Sequence, residues 1–451
     1  MRLNPKNPRR RMRFLPLVAA TYFMVSGGPY GIEDILGGAG FGRAILILVL
    51  LPFLWSLPTA LMIGELAAAI PAEGGFYVWV RRAMGPFWGF QEAWLSLAAS
   101  IFDMALYPTL FVAYLGQFNP ALTAGWHGYA WSLTVVVVCC LWNLRGAPAV
   151  GEDSVILFSL LIAPFVIFVV LGLWHGFHLH TPIQWGMAKG SSVGLSTALL
   201  VAMWNYMGWD NASTVAQEVE EPQRNYPRAM IAATGLVAIS YFLPLLAMAL
   251  AGMSVENFGT GDWAEAARSL GGPLLQLGVI GGGAIMGFGM FNALMMSYTR
   301  LPTAMAVDGL LPAVLARRNS RGVPWVSVLL CGLAWALALR LTFERLISID
   351  LVLYGSSLLL EFVALVVLRI REPELKRPFK AGNLWIACGL GLGPAALIGY
   401  ALVCSRNETM KFGNSAISAL LLSVAVGLLG PVLYWVVTPR TRRVAEQVAG
   451  D

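Results

Sequence analysis

The stretch SGGPYG, from Ser26 to Gly31, lies in the middle of an apolar run that extends from about residue 14 to residue 38. Glycine weakens a helix, and Pro29 lacks the backbone N–H that would close a helical turn. Proline also favours the first position of a new helix. The stretch therefore predicts a membrane helix that stops near Ser26 and a second half-helix that starts near Pro29.

A second interruption of this kind lies in the sixth apolar run. There the sequence is WNYMGWDN, from Trp204 to Asn211, and polar residues and Gly208 replace the expected apolar turn. Non-helical backbone at membrane depth is tolerated only where protein or a water-filled cavity covers it. Interrupted spans in corresponding positions of two five-span halves are typical of inverted-repeat transporters, whose binding sites lie at the breaks. The alternative is a pair of packing kinks, because Gly and Pro are common in membrane helices.

The composition places the chain in a membrane. Of its 451 residues, 58% are hydrophobic and only 12% are charged. Soluble domains carry about 25% charged residues. Apolar runs close to the roughly 20 residues that a span needs recur along the whole chain. Twelve spans are predicted, at about residues 14–38, 43–69, 87–117, 129–143, 153–174, 193–217, 228–252, 273–307, 324–341, 346–368, 384–404 and 414–437.

Lysine and arginine are divided unequally between the two sides of this arrangement. The side with the N-terminus holds 22 of the 30 basic residues, the other side holds 7, and Arg300 lies within a span. Because basic residues mark the cytoplasmic side, both termini are predicted to be cytoplasmic, in a multi-pass protein of the plasma (inner) membrane. The basic clusters lie in short loops without interleaved aromatic residues, which argues against a nucleic-acid partner.

The chain is predicted to form a single transporter domain. Its parts are a first repeat with a basic cytoplasmic N-terminus, a second repeat, two additional helices and a cytoplasmic tail, at residues 1–174, 193–368, 384–437 and 438–451. The five cysteines lie within apolar runs and have no metal or disulfide spacing. The sequence contains no nucleophile–base set, metal cluster or phosphate-binding loop, so we expect neither an enzyme nor a metal or other cofactor.

The residues around both breaks resemble the amino acid–polyamine–organocation permeases. Within that superfamily the chain is similar to the plant-type polyamine uptake transporters, or polyamine–proton symporters. The resemblance covers nearly the whole chain and implies an all-α fold of the leucine-transporter type. Such a fold has a 5+5 inverted repeat with broken first and sixth helices, followed by two C-terminal helices. The matching motifs are VSGGPYGIED (25–34), ELAAAIPAEGGFYVWV (65–80), GPFWGFQEAW (85–94), DMALYP (103–108), WNYMGWDNASTVAQEVEEPQRNYPRA (204–229) and AVDGLLP (306–312).

The resemblance also implies which residues bind substrate. The first break, at Ser26, matches the segment that holds a substrate carboxylate or a nearby polar group. Trp204 matches the aromatic residue that closes the outer side of the pocket, and Asp103 lies near a substrate-facing position of the third span. The full set that the resemblance implies is Ser26, Gly27, Gly28, Asp103, Trp204, Asn205, Tyr206 and Gly208.

Acidic residues within the predicted spans are a further sign of function, because buried carboxylates are costly in lipid. Such a group can bind a cationic amine or carry a coupling proton, and the candidates are Glu33, Asp34, Asp210 and Glu65. Glu33 and Asp34 follow the first break within about a turn and a half, where they favour a cationic, polyamine-like substrate. The alternative is that these two acids only stabilise the N-terminal end of a half-helix.

Other charges are assigned mainly structural roles. Glu65 begins a motif at the cytoplasmic end of the second span, where gating or structural support is the expected role. Glu361 in the tenth span is interpreted as structural rather than ligand-binding, and Arg300 is predicted to pair with Asp308. Some proton-coupled relatives carry a lysine in the fifth span, whereas residues 153–174 contain none. The coupling ion is therefore open between the proton and sodium.

These features lead to an expected function. We expect a secondary active transporter that takes up amino acids or polyamines by alternating access around a site at the two breaks. A proton gradient is the expected driving force, with sodium as the alternative. The competing hypotheses are an exchanger that swaps one amino acid or amine for another and a nutrient sensor that binds without transporting. The expected partners are a small-molecule substrate and the lipid bilayer.

Overall fold

The structure is a computed structural model that describes residues 11–179, 192–255, 258–339, 343–406, 409–412 and 415–448. Long apolar runs fold as helices, and helices occupy every predicted span. They are α1 (Phe14–Val25), α2 (Glu33–Leu51), α3 (Leu57–Ala69), α4 (Phe76–Met84), α5 (Pro86–Phe118), α6 (Trp126–Asn143), α7 (Ala147–Leu179), α8 (Ser192–Trp204), α9 (Pro222–Leu250), α10 (Trp263–Tyr298), α11 (Arg300–Val307), α12 (Trp325–Ala338), α13 (Phe343–Arg371), α14 (Leu384–Leu390), α15 (Leu392–Ser405) and α16 (Ala419–Val448).

Eight helical stretches within the described residues are long and apolar enough to cross a membrane. Two shorter apolar helices, α1 and α12, have 12 and 14 residues. The chain is therefore a helical, multi-pass membrane protein. The eight stretches are Glu33–Ala69, Pro86–Phe118, Ala147–His178, Pro222–Leu250, Trp263–Val307, Ile347–Arg371, Leu384–Ser405 and Ala419–Val437.

The first predicted break is present between α1 and α2. Helix α1 ends at Val25, and helical structure resumes at Glu33, later than the predicted start near Pro29. The delay has a backbone cause, because Gly31 has φ 87°, in the left-handed region that a right-handed helix excludes. Helix α2 then changes direction at Gly40, which has φ 74° and ψ 168°. Residues 33–39 thus form a half-helix of their own.

The second predicted break follows α8. That helix ends at Trp204, and Gly208 adopts a left-handed conformation with φ 92°. The chain continues as two short 3₁₀ segments, Trp209–Thr214 and Ala216–Glu218, rather than as a second α-helical half. A Cβ at Gly208 would lie 2.3 Å from the backbone oxygen of Met24, so the two breaks pack directly against each other.

Helices α1 and α5 lie next to these breaks, and each packs against two further helices. Helix α5 packs along α10 and α13, while α1 packs against α7 and α9. Arg82, at the end of α4 just before α5 starts, and Glu372, just after α13 ends, form a bidentate ion pair with a shortest distance of 2.6 Å. The start of α5 therefore lies near the end of α13. Helices α5 and α13 are therefore antiparallel neighbours.

One small element departs from the all-α prediction. Strands β1 (Thr409–Phe412) and β2 (Ser415–Ser418) form an antiparallel hairpin between α15 and α16, with Thr409 opposite Ser418. The twelfth predicted span was placed from residue 414, which lies outside the described residues; Ser415–Ser418 form a strand, and the helix starts at Ala419.

Candidate functional site

The two breaks are joined by hydrogen bonds. The side-chain amide of Asn205 donates to the backbone oxygen of Gly31 at 2.9 Å, and the Tyr241 hydroxyl donates to the backbone oxygen of Asn205 at 2.6 Å. Within the first break, the Ser26 hydroxyl oxygen accepts from the backbone N–H of Gly28 at 2.9 Å. Because unpaired backbone groups are costly in a dry interior, these bonds explain how non-helical chain persists at this depth.

Asp103 lies beside the second break. Its carboxylate accepts from the Tyr107 hydroxyl at 2.7 Å and from the indole N–H of Trp204 at 3.1 Å. The Tyr107 and Trp204 rings stack with their centroids 6.0 Å apart. Asp103 and Trp204, both predicted site residues, are thus in direct contact and are buried together. Tyr107 was not predicted, although it follows Asp103 by four residues and shares its helix face.

Asp210 is held on the other side of the same break. The Tyr354 hydroxyl of α13 donates to its carboxylate at 2.5 Å and accepts from the backbone N–H of Gly208 at 2.9 Å. Asp210 is 1% exposed. Tyr354 therefore connects Asp210 and Gly208, both predicted site residues, to α13. No substrate-binding residue was predicted on that helix.

Asp350 is the principal residue that the sequence analysis missed. It lies on α13, four residues before Tyr354, and is completely buried. Neither carboxylate oxygen has a hydrogen-bond partner among the described residues. It interacts electrostatically with both Asp103 and Asp210. Its position inside the predicted span 346–368 was the signal available, the same one that drew attention to Glu361.

The three aspartates, Asp103, Asp210 and Asp350, will be called the aspartate cluster. In the part of the chain that the structure describes, the buried basic residues are Arg300 and Arg369. Both have carboxylate partners elsewhere. A buried carboxylate without a compensating cation takes up a proton or binds a positive ligand. The cluster is therefore a candidate site for a cationic group.

The acids after the first break have protein partners. Glu33 accepts from the backbone N–H of Gly31 at 2.5 Å and from the Tyr114 hydroxyl, and Asp34 contacts Thr260 at 3.2 Å. Tyr114 follows Asp103 by 11 residues on α5, or roughly 16 Å along the helix. Both acids lie in the first turn of α2, as the helix-end alternative requires. Their amine-binding role stays a prediction.

The remaining predicted residues divide between support and packing. Glu65 accepts from the buried Arg369 and lies 3.3 Å from Arg377, so it belongs to a charged network at the end of α13. Tyr206 donates to the backbone oxygen of Leu48 at 2.8 Å. A Cβ at Gly27 would lie 2.4 Å from the Met286 side chain, so this glycine permits close helix contact.

The predicted pairing of Arg300 with Asp308 is wrong. Eight helical residues span about 12 Å, too far for a direct ion pair. Arg300 instead pairs with Glu218 at 3.1 Å. Asp308 pairs with Arg81 and accepts from the Tyr77 hydroxyl, both at 2.7 Å.

Comparison with known proteins agrees with this architecture. The profile of the family described as amino acid permease matches residues 18–436. The chain belongs to this family. The family lies in the amino acid–polyamine–organocation superfamily, as the sequence resemblance implied. The permease is therefore a membrane transporter and not an enzyme.

Three relatives illustrate the range of the permease's similarity. It is 36% identical to a probable polyamine transporter of Arabidopsis thaliana, over 82% of its own chain and 74% of that protein. It is 34% identical to a polyamine transporter of Oryza sativa subsp. japonica, over 96% and 80% of the two chains. It is 25% identical to a serine/threonine exchanger of Bacillus subtilis, over 89% and 90%.

Proposed function

We propose that the permease takes up polyamines across the plasma membrane by proton-coupled secondary active transport. The observation that carries this proposal is the aspartate cluster, three buried carboxylates beside the two chain breaks with no arginine or lysine partner among the described residues. A polyamine carries several ammonium groups, and each is a strong donor to a carboxylate. An amino acid carries a carboxylate of its own, which the cluster would repel.

Each part of the site has a role in this proposal. Asp103, Asp210 and Asp350 accept from the ammonium groups of the substrate. The stacked rings of Tyr107 and Trp204 cover its methylene chain and favour its positive charge. Backbone oxygens of the breaks that helical hydrogen bonds do not use provide further acceptors, as in transporters with discontinuous helices.

The proposed architecture has twelve spans in a 5+5 inverted repeat plus two C-terminal helices, with both termini in the cytoplasm. The contact between the breaks supports the repeat, because the site of such a fold lies where the two halves meet. Ion pairs support the orientation, since they join loops that the basic residues assign to one side. These pairs are Arg81–Asp308, Arg82–Glu372 and Arg318–Glu73.

Uptake of radiolabelled spermidine into proteoliposomes tests the proposal. We expect accumulation when the lumen is more alkaline than the medium, and little accumulation without a pH gradient. Excess unlabelled putrescine or spermidine should compete, whereas serine and threonine should not. Accumulation driven by a sodium gradient at equal pH would replace the proton by sodium. Competition by amino acids alone would refute a polyamine substrate.

An exchanger of amino acids or amines is the second candidate, and the relative from Bacillus subtilis favours it, because that protein is named a serine/threonine exchanger. An exchanger needs substrate on both sides, whereas a symporter fills an empty vesicle. Liposomes loaded with buffer alone and liposomes loaded with unlabelled spermidine therefore separate the two. Uptake that requires internal substrate would support exchange.

A further inference from the structure

A second group of buried acids lies on α5 and α13. Glu92 on α5 and Glu361 on α13 are both completely buried. One oxygen of Glu92 accepts from the Ser96 hydroxyl at 3.0 Å. The other oxygen of Glu92 and both oxygens of Glu361 have no hydrogen-bond partner within the described ranges. These two residues will be called the glutamate pair.

Each glutamate of the pair lies 11 residues from an aspartate of the cluster on the same helix. Glu92 precedes Asp103 by 11 residues on α5, and Glu361 follows Asp350 by 11 residues on α13. Eleven residues make three helical turns, with a rotation of only about 20° left over and a rise of about 16 Å. Because the two helices are antiparallel, each glutamate is brought toward the other. Glu361 interacts electrostatically with Asp210 and, to a smaller extent, with Glu92, and Glu92 interacts with Asp210 as well.

The surroundings of the glutamate pair supply no free cation in the described structure. Tyr77 and Arg81 approach from α4, but Arg81 is paired with Asp308. Asp210 and Tyr354 approach from the side of the break and add no positive charge. The residues of α16 beside this part of α5 are uncharged, for example Val426 and Gly430. Two ionised carboxylates are therefore not compensated here.

Two buried carboxylates that interact electrostatically and have no cation are not stable when both are ionised. By the Born estimate, an isolated ionised carboxylate costs on the order of tens of kcal/mol in an apolar medium. Buried carboxylates therefore become neutral instead. Like charges close together have the same effect. In this closed arrangement, where both side chains are sealed from water, the pair must hold a proton.

The surroundings of the glutamate pair differ from those of the substrate site, although Asp210 interacts electrostatically with both glutamates. The aspartate cluster adjoins broken backbone and the rings of Tyr107 and Trp204, which suit an extended amine. The glutamate pair lies between two stretches of continuous helix, 92–103 and 350–361, whose backbone groups are already paired. A proton needs no space and no free carbonyl, whereas an ammonium group needs both.

We infer that the glutamate pair is the binding site of the co-transported proton. The inference rests on the proposed function. Closure of the transporter requires every buried acid to be neutral or compensated. The polyamine compensates the aspartate cluster, and the proton neutralises Glu92 and Glu361. Both must be bound before the protein can close, which couples their movement.

Proteoliposomes that contain a trapped pH-sensitive dye test this inference. External spermidine is added to wild type, Glu92→Gln, Glu361→Gln and the control Glu265→Gln, whose carboxylate is solvent-exposed. In wild type and the control, we expect spermidine uptake to acidify the lumen. In both buried variants, we expect loss of this acidification and of the response of uptake to a pH gradient. Spermidine binding and spermidine–spermidine exchange should be retained, because the aspartate cluster is intact.

The outcomes distinguish the inference from the proposed function. Buried variants that keep wild-type acidification would overturn the inference alone. A wild-type protein that takes up spermidine without acidification would overturn proton coupling and the inference together. Loss of spermidine binding in both buried variants would also overturn it and assign the pair to substrate. Glutamine matches glutamate in shape, so both variants should fold. If one variant is not monodisperse, the other variant tests the inference, since each of the two glutamates is required.

Discussion

Replacement of Asp350 by asparagine tests whether the aspartate cluster binds substrate. Asp350 is completely buried, and neither oxygen has a partner among the described residues. Its carboxylate is therefore available to an ammonium group, and a hydrogen bond between charged groups contributes about 1.5–3 kcal/mol. Asp350→Asn should accordingly weaken spermidine binding by about 10- to 150-fold, at about 1.4 kcal/mol for each factor of ten. Isothermal titration calorimetry in detergent measures this change.

The same substitution has an opposite effect on the protein without substrate. The carboxylate has no hydrogen bond to lose, and the amide has no net charge to compensate. Asp350→Asn should therefore leave Tm unchanged or raise it, while Glu265→Gln at the surface changes neither Tm nor affinity. An affinity within about threefold of wild type would refute the assignment of Asp350 to the site, because that difference is under 1 kcal/mol. A large fall in Tm would show that Asp350 has a structural partner.

Asp103→Asn should weaken spermidine binding by about one or two factors of ten, measured in the same titration, because it removes one charge-assisted acceptor. Glu65→Gln should lower the free energy of unfolding by about 3 kcal/mol, because it leaves the buried guanidinium of Arg369 without its carboxylate. Thermal denaturation measures that loss. Gly208→Ala should abolish spermidine uptake and lower Tm, because its φ is 92° and a Cβ would lie 2.3 Å from the Met24 oxygen.

The variants of Glu65 and Gly208 each have a matched control. Glu372→Gln breaks the exposed pair with Arg82, whose side chains are 30% and 43% exposed, and should cost less than about 1 kcal/mol. The Arg82 guanidinium holds the pKa of Glu372 below its usual value. This pair's small contribution is therefore present at neutral pH and lost as the pH falls through that pKa. Gly281→Ala meets open space and should be neutral.

Opposite results would be informative. Equal costs for Glu65→Gln and Glu372→Gln would show that burial does not strengthen the dependence of Arg369 on its carboxylate. Full transport by Gly208→Ala would show that the second break tolerates a side chain, contrary to the close contact between the breaks. Unchanged spermidine affinity in Asp103→Asn would remove Asp103 from the site and leave it as a partner of Tyr107 and Trp204 only.

The local sequence determined where the helices stop. Glycines and Pro29 within one apolar run, and Gly208 with polar neighbours in another, were enough to predict both breaks, because backbone conformational limits act within a few residues. Motifs around the breaks were enough to identify the family. Asp103 and Asp210 could be found for the same reason, since a carboxylate inside an apolar run is visible in the sequence.

The side-chain partners of those residues could not be predicted from the local sequence. Periodicity shows which helix face a residue occupies, but it does not show which helix packs against that face. For this reason Arg300 was assigned to Asp308, its neighbour along the chain, whereas the fold supplies Glu218. The 3₁₀ form of the chain after Gly208, which packs against the first break, was likewise not predicted.

The set of residues in the candidate site shows most clearly what the sequence could not determine. Sequence alone determined that carboxylates lie in the membrane and that the chain breaks twice. Only the tertiary structure decided that α5 and α13 run antiparallel, so that Asp350 joins Asp103 and Glu361 approaches Glu92. The physical reason is that the role of a buried carboxylate depends on whether a cation compensates its charge. Whether a cation lies within reach depends on residues hundreds of positions away, which packing alone brings together.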